Sequence, residues 1–239
     1  MSSQLAAKLR EGTKKPHSTA ENTGFVLCLI KGVIEPISLR KFLSYLYFVY
    51  SALEQNLEKY RQHPVVGPMY FPEMNRTANL QEDLAYFYGE NWRDQITTSE
   101  HCDVFVARIH AVSVTHPELL VAHAYTRYLG DLSGGQAFRK IFRNALKLPA
   151  DKGTRFYEFD AISDIPAFKD RYRDALNYLV VSDEIADKIV AEANESFYLS
   201  RSLFKGLEVD LIKVIGQAEY DRIASQTHPG STETVGARS

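Results

Sequence analysis

Three glycines lie close together, Gly130, Gly134 and Gly135, within a stretch that otherwise has the pattern of a helix. Each glycine inside a helix costs roughly 1 kcal/mol relative to alanine, so three of them need a physical reason. Gly130 and Gly134 are four residues apart and share one helical face, while Asp131 and Gly135 share the adjacent face. The result is a bare strip of backbone with a carboxylate beside it. This glycine strip suits a large planar ligand or tight packing against another helix, and the spacing leaves both interpretations open.

His17 has the neighbours that a metal-ligating histidine needs. Glu21, one helical turn later, is placed to accept a hydrogen bond from the ring nitrogen that is not used for ligation. Lys14 and Arg10 precede His17 by one and two turns. A histidine with cations on the same helix suits an iron tetrapyrrole whose carboxylates point toward those cations. An ordinary helix with a basic face explains the same spacing at least as well.

Further polar residues accompany the strip. Tyr125 and Arg127 precede it, and Arg127 is four residues from Asp131, a spacing that allows an ion pair of no special function. Tyr47 and Tyr50 share a face of an earlier helix, where they are either core aromatics or members of a buried hydroxyl network. These residues add a polar edge to the strip without deciding its purpose.

Lys169 and Arg173 are four residues apart on a later helix and form either an anion clamp or a solvated basic face. The chain has no His-Glu-x-x-His, paired Glu-x-x-His or Cys-x-x-Cys arrangement, which argues against zinc, di-iron and redox-disulfide sites. A histidine with flanking cations, combined with a bare and polar-edged second helix, is how a helical protein would enclose a heme. The combination therefore indicates a heme site more strongly than any of its parts.

The composition excludes several other classes of protein. With 239 residues and a formal net charge of −2, the chain gives no general reason to expect a nucleic-acid partner. Cys28 and Cys102 lie in apolar helical patterns and are expected to be buried free thiols in a reducing compartment. The N-terminus lacks the pattern of a secretion signal, and no apolar stretch approaches the ~20 residues that span a bilayer. We therefore expect a cytoplasmic protein without a membrane anchor.

Helical periodicity dominates the chain, which predicts an all-α fold of about eight helices in a single-domain bundle. The predicted domain covers residues 1–225, and residues 226–239 form a polar tail that is expected to be disordered. The first predicted helix starts near residue 3, reaches about residue 30 and breaks at Pro16. The third predicted helix starts at Asn79, with Glu82 in its first turn, and ends at Gly89. The other predicted helices cover residues 38–60, 99–114, 117–146 (with the glycine strip in its middle), 165–179, 182–205 and 207–224.

The segment from Tyr125 to Gln136 resembles the corresponding motif of heme oxygenases, and this match is too long to arise by chance. Residues 117–124, the His17 segment, and residues 70–73, 80–84 and 88–89 match the same family, so the similarity covers about residues 5 to 220. The absence of a C-terminal apolar anchor and the tail Gly230–Glu233 are similar to the soluble cyanobacterial members. The resemblance implies a heme held between a proximal helix and a kinked distal helix.

The resemblance also implies a role for each candidate residue. His17 would be the proximal iron ligand, oriented by Glu21, and Asp131 would organise the waters that deliver protons to iron-bound oxygen. Gly130, Gly134 and Gly135 would let the distal helix lie against the heme. The remaining implied roles are the distal polar network for Arg127, Tyr47, Tyr50 and Ser200, the heme carboxylates for Arg10, Lys14, Lys169, Arg173 and Tyr125, and contact with the macrocycle for Phe197.

The chain departs from the family pattern at three of these places. Ser200 stands where many members carry Asn, and its shorter side chain would rearrange the distal waters. Arg10 stands where many members carry Lys. The positive charge is the same, but a planar guanidinium with forked donors replaces the compact ammonium group. Pro16, directly before His17, would shift the proximal helix.

The activity implied by the resemblance is oxidative cleavage of heme b, which serves as both cofactor and substrate. With O2 as co-substrate and electrons from ferredoxin, the products would be biliverdin IXα, CO and Fe2+. The biliverdin would supply bilin biosynthesis, with a downstream bilin reductase as a further partner. The alternative is a heme carrier or sensor that binds heme through the same residues without turning it over.

Overall fold

The structure, a computed structural model, describes residues 4–226. Within this range the chain forms eleven α-helices and five short 3-10 turns, and no strand is present, so the predicted all-α class is confirmed. The helices are α1 (Leu5–Gly12), α2 (Lys14–Glu21), α3 (Gly24–Ile30), α4 (Pro36–Lys59), α5 (Thr77–Tyr88), α6 (Glu100–Thr115), α7 (Leu120–Asp131), α8 (Gly134–Leu146), α9 (Ile165–Tyr178), α10 (Asp183–Ile215) and α11 (Gln217–Ala224).

The N-terminal segment contains three short helices, and the break predicted at Pro16 is wrong. The first break falls at Thr13, whose backbone N–H and hydroxyl both donate to the carbonyl of Leu9. Pro16 lies in the first turn of α2, where a missing backbone N–H leaves no helical bond unmade. A second break at Asn22 and Thr23 separates α2 from α3. His17 therefore belongs to its own eight-residue helix, α2.

The predicted helix over residues 117–146 is divided, and the division lies inside the glycine strip. A 3-10 turn precedes α7, which ends at Asp131, and α8 begins at Gly134. Leu132 and Ser133 form the joint between them. All three glycines thus lie within two residues of a helix end, where a glycine costs less than in a helix interior.

Two other predicted boundaries are wrong for physical reasons. The helix expected to end before Gly206 continues to Ile215, because Gly206 is a packing residue: a Cβ atom there would lie 2.4 Å from Cδ2 of His101. The break falls at Gly216, whose φ of 86° is one that glycine adopts readily. Asn79 lies inside α5 and does not cap it, since its amide donates to the carbonyl of Arg155.

The long helices α4 and α10 organise the core. α4 contributes Leu39, Leu43 and Leu53 to the centre of the apolar cluster, and the range predicted for this helix, 38–60, agrees with Pro36–Lys59. α10 packs against α1, α2, α3, α6 and α7, so it joins the helix of His17 to the helix of Asp131. Cys28 and Cys102 are buried and unpaired, as predicted.

None of the helices between residues 4 and 226 has the length and apolar character needed to cross a membrane. The predicted tail lies outside the described residues from position 227 onward.

Candidate heme site

One large cavity, of about 940 Å³, opens between α1, α2, α7, α8, α9 and α10. Its volume is in the range of cavities that enclose a cofactor-sized ligand. Most of the candidate residues line it, although they come from distant parts of the sequence. Those that do are Arg10, His17, Glu21, Tyr125, Arg127, Gly130, Asp131, Gly134, Gly135, Lys169, Arg173, Phe197 and Ser200.

The glycine strip faces open space. A Cβ atom at Gly130 or Gly134 would meet no heavy atom within 4 Å, and both residues are exposed to the cavity. Helix–helix packing therefore does not explain these two glycines. Gly135 is different, because a Cβ atom there would lie 3.3 Å from Cδ1 of Tyr157. The strip thus contains two glycines that leave room in the cavity and one that permits close packing.

Asp131 is a partly buried carboxyl at the edge of the strip. The hydroxyl of Tyr50 donates a hydrogen bond to its Oδ2 at 2.5 Å. Burial raises the pKa of Asp131 to about 7, against the opposing effects of the Arg127 charge and the Tyr50 hydrogen bond. A carboxyl with a pKa near neutrality can both hold and release a proton under ordinary conditions.

His17 projects from α2 into the same cavity. Its Nε2 lies 3.3 Å from Oε1 of Glu21, the partner predicted from the spacing of four residues. The ring packs against Phe197 of α10, with 4.9 Å between the ring centroids. A carboxylate at one ring nitrogen and an aromatic ring on one face fix the tautomer and the direction of the imidazole.

The family model described as heme oxygenase matches residues 3–206. The chain belongs to the heme oxygenase family.

Its relatives include heme oxygenase 1 of Synechocystis sp. PCC 6803, which is 50% identical over 233 residues and is matched over 98% of this chain and 97% of its own length. Heme oxygenase 1 of Nostoc sp. PCC 7120 is 48% identical, with 99% of this chain and all of the relative covered. Among solved structures, heme oxygenase-2 of Synechocystis in complex with heme and NO superimposes with a TM-score of 0.95 at 44% identity, over 97% of this chain and 96% of that one. Heme oxygenase-1 of Synechocystis in complex with heme has a TM-score of 0.87 at 51% identity, over 92% and 99%. The resemblance inferred from the sequence motif is confirmed.

In this heme oxygenase, Arg127 lies on the cavity wall but forms no direct bond with the neighbouring carboxylate. Asp131 instead accepts from Tyr50, and the Nε of Arg127 is buried with no hydrogen-bond partner among the described residues. A buried donor without an acceptor costs free energy that a ligand or an ordered water can recover. The ion pair allowed by the sequence spacing is therefore replaced by a donor available to the cavity.

Three cations from two helices line the cavity at one edge. Arg10 of α1 and Lys169 and Arg173 of α9 form this set, and burial, followed by the nearby Arg173, lowers the pKa of Lys169. Lys14 does not line the cavity, but its Nζ lies 2.6 Å from Oε2 of Glu11, which does. Its predicted contact with a ligand carboxylate would require the lysine to leave Glu11.

Two tyrosines also lie outside the cavity lining. Tyr50 is fully buried and reaches the site through Asp131. Tyr47 packs edge-on against Trp92, with 5.0 Å between ring centroids, so its position matches the core-aromatic interpretation. Tyr47 and Tyr50, three residues apart, share a face of α4, but only Tyr50 bonds to Asp131, so the assignment of Tyr47 to the polar network stays a prediction.

Ser200 lines the cavity, but its hydroxyl donates to the carbonyl of Ser196 at 2.7 Å. This bond within α10 leaves no hydroxyl hydrogen for a distal water. The departure from the family pattern at position 200 therefore has a structural consequence. Ser200 still lines the cavity, but its hydroxyl does not donate to a group in the cavity.

Sequence reasoning missed several lining residues. Phe156 and Tyr157 come from the connection between α8 and α9, where a 3-10 turn brings them against the cavity. No periodic pattern marks a turn of three residues, so only their aromatic character was a signal. Ser133, in the joint of the glycine strip, also lines the cavity and receives a hydrogen bond from Lys169.

Proposed function

We propose that this heme oxygenase binds heme b in the cavity and cleaves it, with O2 and electrons from ferredoxin, to biliverdin IXα, CO and Fe2+. Family membership supports heme oxygenase activity, and two solved relatives are complexes with heme. The observation that carries the proposal is the meeting of His17, the open strip at Gly130 and Gly134, and the Asp131 carboxyl in one cavity.

The residues present fit a heme. An imidazole is a common iron ligand, and the three cavity cations suit the carboxylates of the macrocycle. The missing side chains at Gly130 and Gly134 leave space for a flat group, and the unpartnered Nε of Arg127 offers a donor. When bound, heme supplies the iron at which O2 is activated and the ring that is opened.

The proposed roles of the protein residues follow from their surroundings. His17 holds the iron, and Glu21 with Phe197 keeps its ring in one orientation. Gly130 and Gly134 allow the backbone to approach the ligand closely, which restricts the space beside the iron. Asp131, whose pKa lies near 7, both takes up and releases a proton at neutral pH and passes it to the cavity through water, while Tyr50 fixes the position of the carboxyl.

The electron donor, the product and the location are also proposals. We propose ferredoxin as the donor and a bilin reductase as the consumer of biliverdin, the partners implied by the resemblance to cyanobacterial heme oxygenases. Two buried free thiols suit the reducing conditions of the cytoplasm. Arg10, Lys169 and Arg173 would bind the heme carboxylates and so set which meso carbon faces the strip.

The experiment is a reaction of the heme-loaded protein with reduced ferredoxin and O2, followed by its absorption spectrum and by chromatography of the bilin. The Soret band should decay and biliverdin IXα should appear. Asp131→Asn should slow biliverdin formation about 100-fold, the scale of a lost proton donor, while binding heme as tightly as the wild type. Asp103→Asn, an exposed carboxyl at the start of α6, serves as the matched control.

His17→Ala should bind heme with an altered Soret band and without the iron–imidazole stretch in the Raman spectrum. A stable Soret band in the wild type under these conditions would favour the heme carrier or sensor. A biliverdin rate unchanged by Asp131→Asn would refute the role given to that carboxyl.

A further inference from the structure

The joint between α7 and α8 is held by few bonds. The backbone N–H of Ser133 donates to the carbonyl of Gly130 at 3.1 Å, and its own carbonyl accepts from the N–H of Gln136 at 3.3 Å. The side-chain amide of Gln136 donates to the carbonyls of Asp131 and Tyr157 at 3.2 and 3.0 Å. The Gln136 bonds fix the joint from the side of the 3-10 turn at Arg155–Tyr157.

A second attachment reaches the joint from α9. The Nζ of Lys169 donates to Oγ of Ser133 at 2.8 Å, and both residues line the cavity. This hydrogen bond is the only one that the described residues give the ammonium group, which has three donors. The remaining donors are therefore available to a ligand in the cavity.

We propose that Ser133 is a positioning residue: through Lys169 it links a carboxylate of the bound ligand to the joint of the glycine strip. The inference depends on the proposed function, because heme is the dicarboxylate ligand in question. A lysine that binds a carboxylate through one donor can keep Ser133 on another, and the charge-assisted bond holds the ammonium in place. Ser133 is then bonded to an ammonium group that the ligand carboxylate also holds, whereas in the ligand-free protein Ser133 is the only bonded partner of that group among the described residues.

The position of Ser133 makes this link relevant to the chemistry. Ser133 directly precedes Gly134 and is bonded to Gly130, so restraining it restrains both open positions of the strip. Binding of the ligand carboxylate at the rim would thereby order the backbone that lies over the ligand plane. The Gln136 bonds do not involve the ligand and supply a constant attachment on the other side of the joint.

The test is amide hydrogen exchange over residues 128–138, measured without ligand, with heme, and with heme dimethyl ester, whose carboxylates are masked. Absorption spectra confirm saturation with each ligand. In the wild type, heme should slow exchange of residues 130–136 about tenfold more than the ester does, the scale of one charge-assisted hydrogen bond. In Ser133→Ala this difference between the two ligands should vanish, while heme affinity changes less than threefold.

Ser163→Ala, an exposed serine before α9, should keep the wild-type difference. Lys169→Met should lose the difference and also weaken heme binding, because it removes both contacts of the link. A Ser133→Ala variant that keeps the full difference between heme and its ester overturns the inference. A wild type that shows no Soret shift on heme addition would instead refute the proposed function, so the two failures are distinguishable.

Discussion

The two halves of α7 differ in every property that the site depends on. Residues 120–124 are fully buried, and within them Nε2 of His123 lies 2.9 Å from Glu192 of α10. Glu192 also accepts two hydrogen bonds from Arg108 of α6, at 2.9 and 2.5 Å. At the other end of the helix, Gly130 is exposed to the cavity and Asp131 is partly buried beside it.

Along this one helix, the first half contributes to the stability of the fold and the second half to the candidate site. The first half is fixed to two neighbouring helices by apolar contacts and by the bonds of the buried Glu192 to the buried His123 and to Arg108, which reaches the surface. The second half has no side chain at Gly130, which faces open space, and it carries Asp131, whose pKa is raised to about 7 by burial. Because the helix is continuous from Leu120 to Asp131, the packed half determines where the open half lies. Substitutions in the two halves should therefore have different consequences.

The largest expected effect is on stability, at Glu192. Glu192→Ala removes a carboxylate that is 4% exposed and leaves His123 and Arg108 without their partner. Breaking such a buried cluster should lower the free energy of unfolding by about 3 kcal/mol, as measured by urea denaturation. Glu195→Ala, an exposed glutamate one turn later, should change it by less than about 0.5 kcal/mol. Heme affinity of the folded Glu192→Ala protein should stay near the wild-type value; a large loss would show that the two halves are not separable.

The same cluster sets a pH dependence. Burial opposes ionisation of Glu192, but hydrogen bonds from His123 and Arg108 prevail and lower its pKa to about 2. A depressed folded-state pKa stabilises the protein above the unfolded value near 4.5, and this contribution is lost as the pH falls through about 2. The cost of Glu192→Ala should accordingly shrink when the denaturation is repeated in acid.

An intermediate effect is expected at the open half, on ligand binding. Gly130→Leu should leave the ligand-free fold intact or stabilise it by up to about 1 kcal/mol, because a Cβ there meets nothing and leucine favours helix. Heme affinity should fall at least about tenfold, since the new side chain occupies the cavity. Gly135→Ala is the matched control: its Cβ would contact Tyr157 at 3.3 Å, so it should alter stability more than heme affinity. Equal heme binding by Gly130→Leu and the wild type would mean that the strip does not face the ligand.

The sequence predicted the all-α fold, and most of the candidate residues named from it line the cavity, because those features depend on local patterns. Apolar spacing defines α4 and α6. The serines before α6 and α10 cap these helices: the hydroxyl of Ser99 accepts from the N–H of Cys102, and that of Ser182 accepts from the N–H of Ile185. The motif around the strip is local as well. Its residues remain adjacent in the fold, so a linear pattern was sufficient to find them.

The features that the sequence did not predict depend on tertiary contacts. Gly206 continues α10 because His101 lies against it, and neither residue indicates this from its own segment. Periodicity places Tyr47 near Tyr50 without showing that Trp92 is its neighbour. The bond from Lys169 to Ser133 joins residues 36 positions apart and follows from the packing of α9 across the cavity.

The smallest expected effect concerns how the stability of the ligand-free protein depends on pH through Asp131. A folded-state pKa raised to about 7 means that the native protein binds a proton that the unfolded chain releases near pH 4. The resulting stabilisation is present below about pH 4 and is lost as the pH rises through 7, which is opposite in sign to the effect at Glu192.

Asp131→Asn keeps the shape of the side chain without this titration. Since the carboxyl is only partly buried, we expect the variant to gain about 1 kcal/mol on the wild type between pH 5 and pH 8, as followed by thermal unfolding of the ligand-free protein. A stability difference that stays constant over this range would mean that Asp131 titrates like an ordinary surface carboxylate, and that the open half of α7 does not store a proton at neutral pH.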